Sequence, residues 1–187
     1  MKKNIFSEYY FFKSQPLNMR TLLITNMLYA IILPIIEIFV GAYIMRNTGN
    51  SSFVALYQLC MYIGIVVTAI LNGSLLKRFK AEIIYGFGII LSAIILITMM
   101  FLKNIDIFTL GIAGFILGAS TGFFWTNRYL LTLNATNDDN RNYFFGLESF
   151  FFSLWSIVVP LFVGFFLTSI QGKILLGKVL NVNNGYQ

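Results

Sequence analysis

The chain is 187 residues long, 58% hydrophobic and only 11% charged, with a formal net charge of +6. Soluble domains run near roughly 45–50% apolar and about 25% charged, so this composition excludes a single water-soluble domain. The bases sit between apolar blocks instead of lining one soluble face, which excludes a nucleic-acid binder; histidine is absent and Cys60 is the lone cysteine, which removes the commonest metal ligand, the commonest acid–base catalyst and any internal disulfide.

Residues 1–20 read as a cytoplasmic tail: Lys2, Lys3 and Lys13 flank Tyr9 to Phe12, and aromatics beside bases suit a membrane interface. The first apolar block, Thr21 to Met45, approaches the roughly 20 residues that cross a hydrocarbon core. It contains Pro34, which removes a backbone donor and should kink or loosen the helix. At about 100° per residue, Asn26, Ala30, Leu33, Glu37 and Gly41 form one stripe. A mid-membrane carboxylate costs at least roughly 2.5–3.5 kcal/mol, so Glu37 should face protein or water.

A short loop, Arg46 to Ser52, leads to a second span over Phe53 to Leu76, whose Tyr57, Met61, Gly64, Thr68 and Asn72 share a face. Lys77, Arg78 and Lys80 follow. The third span, Ile83 to Leu102, contains no Asp, Glu, Lys or Arg and is the expected lipid-facing helix. The fourth, Ile107 to Leu133, places Gly114, Gly118 and Gly122 on one side, a spacing that lets two helices approach closely. The polar stretch Asn134 to Asn142 reads as a water-exposed loop. The fifth span, Tyr143 to Ser169, carries Glu148 early, on a face with Phe152, Trp155 and Val159. Residues 170–187 form a polar tail.

Arg128 and Glu148 lie inside apolar runs on either side of the Asn134–Asn142 loop, at similar depths. An ion pair between them is geometrically accessible, serving either as a gate or charged-substrate site, or as a static clamp. Asn26, Asn72, Asn127, Tyr57 and Gln58 are candidates for a polar lining, and Trp125 and Trp155 for packing or for stacking a ring-shaped ligand. Topology follows from the bases. Nine of them (Lys2, Lys3, Lys13, Arg20, Lys77, Arg78, Lys80, Arg128 and Arg141) fall on one side and four (Arg46, Lys103, Lys173 and Lys178) on the other, which puts the N-terminus inside.

The loop Gly73 to Glu82, "GSLLKRFKAE", resembles the pattern Gly-x-x-x-Asp-Arg/Lys-x-Gly-Arg-Arg/Lys between spans two and three of the major facilitator superfamily. Gly73 and Arg78 match and Leu75 fits an apolar position, while Lys77 stands at the Asp and Lys80 at the second Gly. Gly114 and Gly118 match the glycines of the family's fourth span, without the arginine usual early in that span. The layout resembles the N-terminal half of such a transporter, with residues 170–187 as the approach to a sixth span. The resemblance implies six-helix halves rocking around a midplane site.

The expectation is therefore an all-α polytopic membrane protein with about five spans, in a bacterial cytoplasmic membrane. It would move a small solute by ion-coupled alternating access, with a proton or sodium ion as the coupling partner and, on one reading, a second chain supplying the C-terminal half. Glu37, Asn26, Arg128, Glu148 and Asn127 are the substrate or coupling-ion candidates. No catalytic constellation, metal site or cofactor is expected. The rival reading is a non-transporting scaffold or partner subunit, or an inactive truncated remnant.

Overall fold

A computed structural model describes residues 5–101 and 106–168, all in helices and short connections. Residues 169–187, including the expected polar tail, and most of the Lys103–Asp106 turn lie outside the described residues. The elements are α1 (Ile5–Ser14), α2 (Leu17–Pro34), a π-helical turn (Ile35–Phe39), α3 (Val40–Thr48), α4 (Ser51–Leu75), α5 (Ala81–Met100), α6 (Ile107–Ala135) and α7 (Asp138–Thr168). α2, the π turn and α3 form one continuous span, so five helical segments are long and apolar enough to cross a membrane.

Pro16 divides α1 from α2, because the residue before a proline is pushed out of the helical region. α1 lies against the start of α7. Phe11 meets Tyr143 edge to face at 4.7 Å, and Asn140 Nδ2 donates to Gln15 Oε1 at 3.0 Å.

Pro34 acts as its chemistry requires. It supplies no N–H, and the next five residues wind as a π turn. The wider winding inserts roughly one residue, which rotates the following helix by about 100°. The inward face accordingly runs Asn26, Ala30, then Ile36, Val40 and Ile44, not Leu33, Glu37 and Gly41. The single stripe expected from a regular helix is thus broken at Pro34, and Glu37 turns outward.

The first turn is only two residues. Gly49 ends α3 in the left-handed region (φ 62°) that favours glycine, and its N–H reaches Met45 O at 2.9 Å. Asn50 then caps α4 by accepting from Ser52 N at 2.9 Å. The α6–α7 connection is also short. Most of the polar stretch expected as a loop belongs to helix ends, and only Thr136 and Asn137 lie between them. At 29 and 31 residues, α6 and α7 extend about 43 and 46 Å, well beyond a hydrocarbon core of about 30 Å. Their polar tips project past it.

α6 is the axis of the bundle, with α4 and α5 packed closely along it and α2 paired with α7. The α4–α6 crossing depends on glycine. A Cβ at Gly118 would collide with the Met61 carbonyl, one at Gly122 with the Thr68 hydroxyl, and one at Gly114 would come within 2.5 Å of Tyr57 O. The α4 residues Tyr57, Gly64, Thr68 and Asn72 are the ones this contact buries. α5 uses Gly88 the same way: its Cβ would stand 2.8 Å from Ser120 O. α5 is therefore not the most exposed span of this bundle. α7 is the least buried, followed by α4.

Two apolar clusters fill the interior. One gathers Met19, Leu23, Tyr29, Tyr85, Phe124 and Phe144 towards the α1 end. The other gathers Ile36, Val40, Ile44, Tyr57, Leu110 and Leu117 towards the far end. A polar cluster lies beside the first.

Candidate functional site

Four spans contribute to that polar cluster. Arg128 lies seven residues before the end of α6, and Glu148 ten residues into α7. The two-residue turn between these helices brings them face to face. Arg128 Nε donates to Glu148 Oε1 at 2.9 Å, and its Nη2 donates to Oε2, giving a forked ion pair. Such a fork is the strongest geometry an arginine and a carboxylate adopt.

From α2, Asn26 Nδ2 donates to the same Glu148 Oε1 at 2.5 Å. From α5, the Tyr85 hydroxyl donates to Asn26 Oδ1 at 2.7 Å. The result is one hydrogen-bonded chain, Tyr85–Asn26–Glu148–Arg128, through α5, α2, α7 and α6. Asn26 and Glu148 are essentially closed to solvent, at 0% and 1% exposure, and Arg128 is 6% exposed. Both charges have left water, so their mutual neutralisation and the hydrogen bonds that converge on Glu148 are what make the burial tolerable.

The remaining face of Arg128 is aromatic. Its Cζ lies 4.6 Å from the Trp125 ring centre, 4.9 Å from Tyr129 and 5.4 Å from Phe152. Its Nη1 has no hydrogen-bond partner among the described residues, so these rings are its immediate surroundings. A desolvated cation over such faces gains about 2 kcal/mol. Tyr29 and Phe124 stack at 3.7 Å beside the network and Tyr85 stacks on Phe124 at 5.2 Å, which holds the tyrosine hydroxyl in place.

A second polar contact ties α6 to α4. Asn127 Nδ2 donates to Asn72 Oδ1 at 2.8 Å and to Phe123 O at 2.8 Å. Asn127 Oδ1 is left without a partner among the described residues.

The structure thus brings Asn26, Arg128 and Glu148 into one network, sets Asn127 beside it with its side chain on α4, and leaves Glu37 apart. Glu37 is exposed on the π turn, eleven residues beyond Asn26, about 16 Å along the span. It makes no ion pair or side-chain hydrogen bond among the described residues. In the 32-residue span Leu17–Thr48 it lies about 7 Å from the midpoint. Gly114, Gly118 and Gly122 lie in the α4–α6 crossing.

The sequence alone does not single out Tyr85, because the apolar block that holds it, Ile83 to Leu102, carries no Asp, Glu, Lys or Arg. Its signal was a small-residue face, Ala81, Tyr85, Gly88 and Ser92, with one polar tip in it; all four are buried.

Comparison with known proteins agrees with this architecture. The family profile described as Major Facilitator Superfamily matches residues 22–175. "Uncharacterized protein YqgE" of Bacillus subtilis (strain 168) is 26% identical over 146 residues, 78% of this chain and 34% of the relative. "Uncharacterized protein in sodM 3'region" of Geobacillus stearothermophilus is 26% identical over 144 residues, 77% of this chain and 67% of the relative. The chain therefore spans about a third of the length of the first relative and about two thirds of the second. No solved structure matches.

Proposed function

The chain belongs to the major facilitator superfamily, a family of membrane transporters, and from that premise we propose that it forms the N-terminal bundle of a secondary transporter moving a small solute by alternating access. The observation that carries this reading is the contrast between its two membrane-embedded carboxylates. Glu148 accepts hydrogen bonds from Arg128 and Asn26 and is sealed from solvent. Glu37 stands near the middle of its span, on a π turn, exposed and uncommitted. A group that takes up and releases an ion or solute needs access and no fixed partner. Intramembrane acids mark pathways for the same energetic reason, and π turns recur at functional positions.

On this reading Glu37 is the contact for the coupling proton or sodium ion. Glu148 and Arg128 form a latch that joins α7 to α6, with Asn26 and Tyr85 fixing its geometry. α6 and α7 share little close backbone packing, while α4 and α5 lie tightly along α6 and α2 pairs with α7. The latch therefore ties two sub-assemblies that could otherwise slide. The exposed faces of α4 and α7, the least buried spans, are assigned to the second bundle, whether on the same polypeptide or another. The base distribution supports a cytoplasmic N-terminus, and the Bacillus and Geobacillus relatives support a bacterial cytoplasmic membrane.

The test is solute uptake in sealed vesicles carrying the chain together with its second bundle, under an imposed proton or sodium gradient. Gradient-driven accumulation of a solute supports the proposal. A correctly inserted assembly that moves no solute under either gradient refutes it.

A further inference from the structure

The loop joining α4 to α5 opens into a groove of about 650 Å³ that the transport reading does not use. Lys77, Arg78 and Lys80 line it, all exposed, with Glu82 as the acidic member of the lining. None of the three bases is in an ion pair among the described residues. Their charges sum with Glu82 to a net +2. The other walls are apolar, formed by Leu76, Phe79 and Leu130, and Asn134 from the end of α6 adds an amide. α5 starts at this groove with no side chain capping its first amides, so its positive helix end adds to the same field.

The groove sits where the spans meet water. It lies between the C-terminal ends of α4 and α6 and the N-terminal end of α5. The exposed aromatics Tyr9, Tyr10 and Phe11 of α1 belong to the same end of the bundle. That level is where tyrosine and phenylalanine meet lipid headgroups. Phe79, half exposed in the middle of the basic run, offers an apolar surface on which acyl chains can pack.

We propose that this groove binds the headgroup of an anionic phospholipid, one molecule per chain, with the phosphate on Lys77, Arg78 and Lys80 and the glycerol and upper acyl carbons against Phe79, Leu76 and Leu130. Phosphate chemistry alone would also suit a free anion. The apolar wall beside the bases selects the lipid.

The experiment uses the full chain in nanodiscs or mild detergent. Binding of phosphatidylglycerol is followed by native mass spectrometry, with phosphatidylcholine and inorganic phosphate as comparisons. Retention of one phosphatidylglycerol per chain, with phosphatidylcholine washed away, is expected. Replacing all three bases (Lys77→Gln, Arg78→Gln, Lys80→Gln) should weaken binding about 100-fold at low salt, and less as salt screens the exposed charges. Glu82→Gln keeps every base and should tighten binding about five-fold, which decides the matter if the triple variant inserts poorly. Equal retention of phosphatidylcholine, unchanged binding in the triple variant, no tightening in Glu82→Gln, or displacement of the lipid by millimolar inorganic phosphate would each overturn the proposal.

Discussion

At the scale of single residues, the two intramembrane carboxylates differ in what surrounds them, and this sets distinct expectations. Glu148→Gln leaves Arg128 buried with its charge uncompensated, and such a loss costs about 3–5 kcal/mol. Removing both charges together (Arg128→Met with Glu148→Gln) should cost clearly less than the sum of the single changes. Equilibrium unfolding in detergent, arranged as a double-mutant cycle, measures this coupling. Additive single costs would mean that the forked pair is not formed in the membrane. Tyr85→Phe removes only the terminal hydrogen bond of the chain and should cost about 0.6 kcal/mol in the same assay. Glu37→Gln should leave stability within about 0.5 kcal/mol of the parent, since no partner is lost. The approach of Arg128 to Glu148 was legible from their equal depths on either side of a turn. Asn26 and Tyr85 joining them was not, because a hydrogen bond between spans distant in sequence depends on a rotational setting that one chain's periodicity does not record.

At the scale of elements, Pro34 is the informative case. Its effect on the helix follows from its missing N–H, but whether the chain kinks, frays or winds wider depends on the neighbours. The π turn that results changes the phase of everything beyond it. A stripe drawn at a constant angle therefore held from Asn26 to Ala30 and failed at Glu37. Pro34→Ala should restore a regular helix, rotate Glu37 back towards the Asn26 face and lower transport while leaving the span inserted. Hydrogen exchange across Ile35–Phe39 should slow in that variant, and unchanged exchange would argue against the π turn.

The glycines give a sharper element-scale contrast, since their spacing in α6 was visible in the sequence and their partner helix was not. Gly118→Ala forces a methyl into the Met61 backbone and should destabilise the bundle by about 1–3 kcal/mol. Gly146→Ala on α7 meets nothing within 4 Å and should be neutral or stabilising by up to about 1 kcal/mol. Thermal unfolding of the two variants side by side distinguishes a close α4–α6 crossing from general helix propensity. If both variants behave alike, the crossing is not as close as described. The polar run after α6 misled for a related reason: residues such as Asn134 and Asp138 favour loops in water, yet they also cap and extend helices whose tips have left the membrane.

At the scale of the whole molecule, hydropathy alone made five spans and an all-helical bundle readable, because a bilayer admits few other ways to satisfy a backbone. The ranking of spans by exposure was not readable. α5 lacks Asp, Glu, Lys and Arg but packs on α6 through Gly88, while α7 carries a buried charge and still leaves most of its surface open. Composition reports what a helix tolerates, and contact depends on the shape of its neighbours. On the proposed reading, the open faces of α4 and α7 meet a second bundle and Glu37 faces the cavity between the two, not lipid.

The most direct test of that outlook is gradient-driven flux in vesicles containing the complete assembly, compared between the parent, Glu37→Gln and Glu37→Asp. Coupled flux should vanish in Glu37→Gln, return at least in part in Glu37→Asp, and leave insertion and unfolding unchanged in both. Full coupled flux in Glu37→Gln would contradict the assignment of the uncommitted carboxylate as the coupling site.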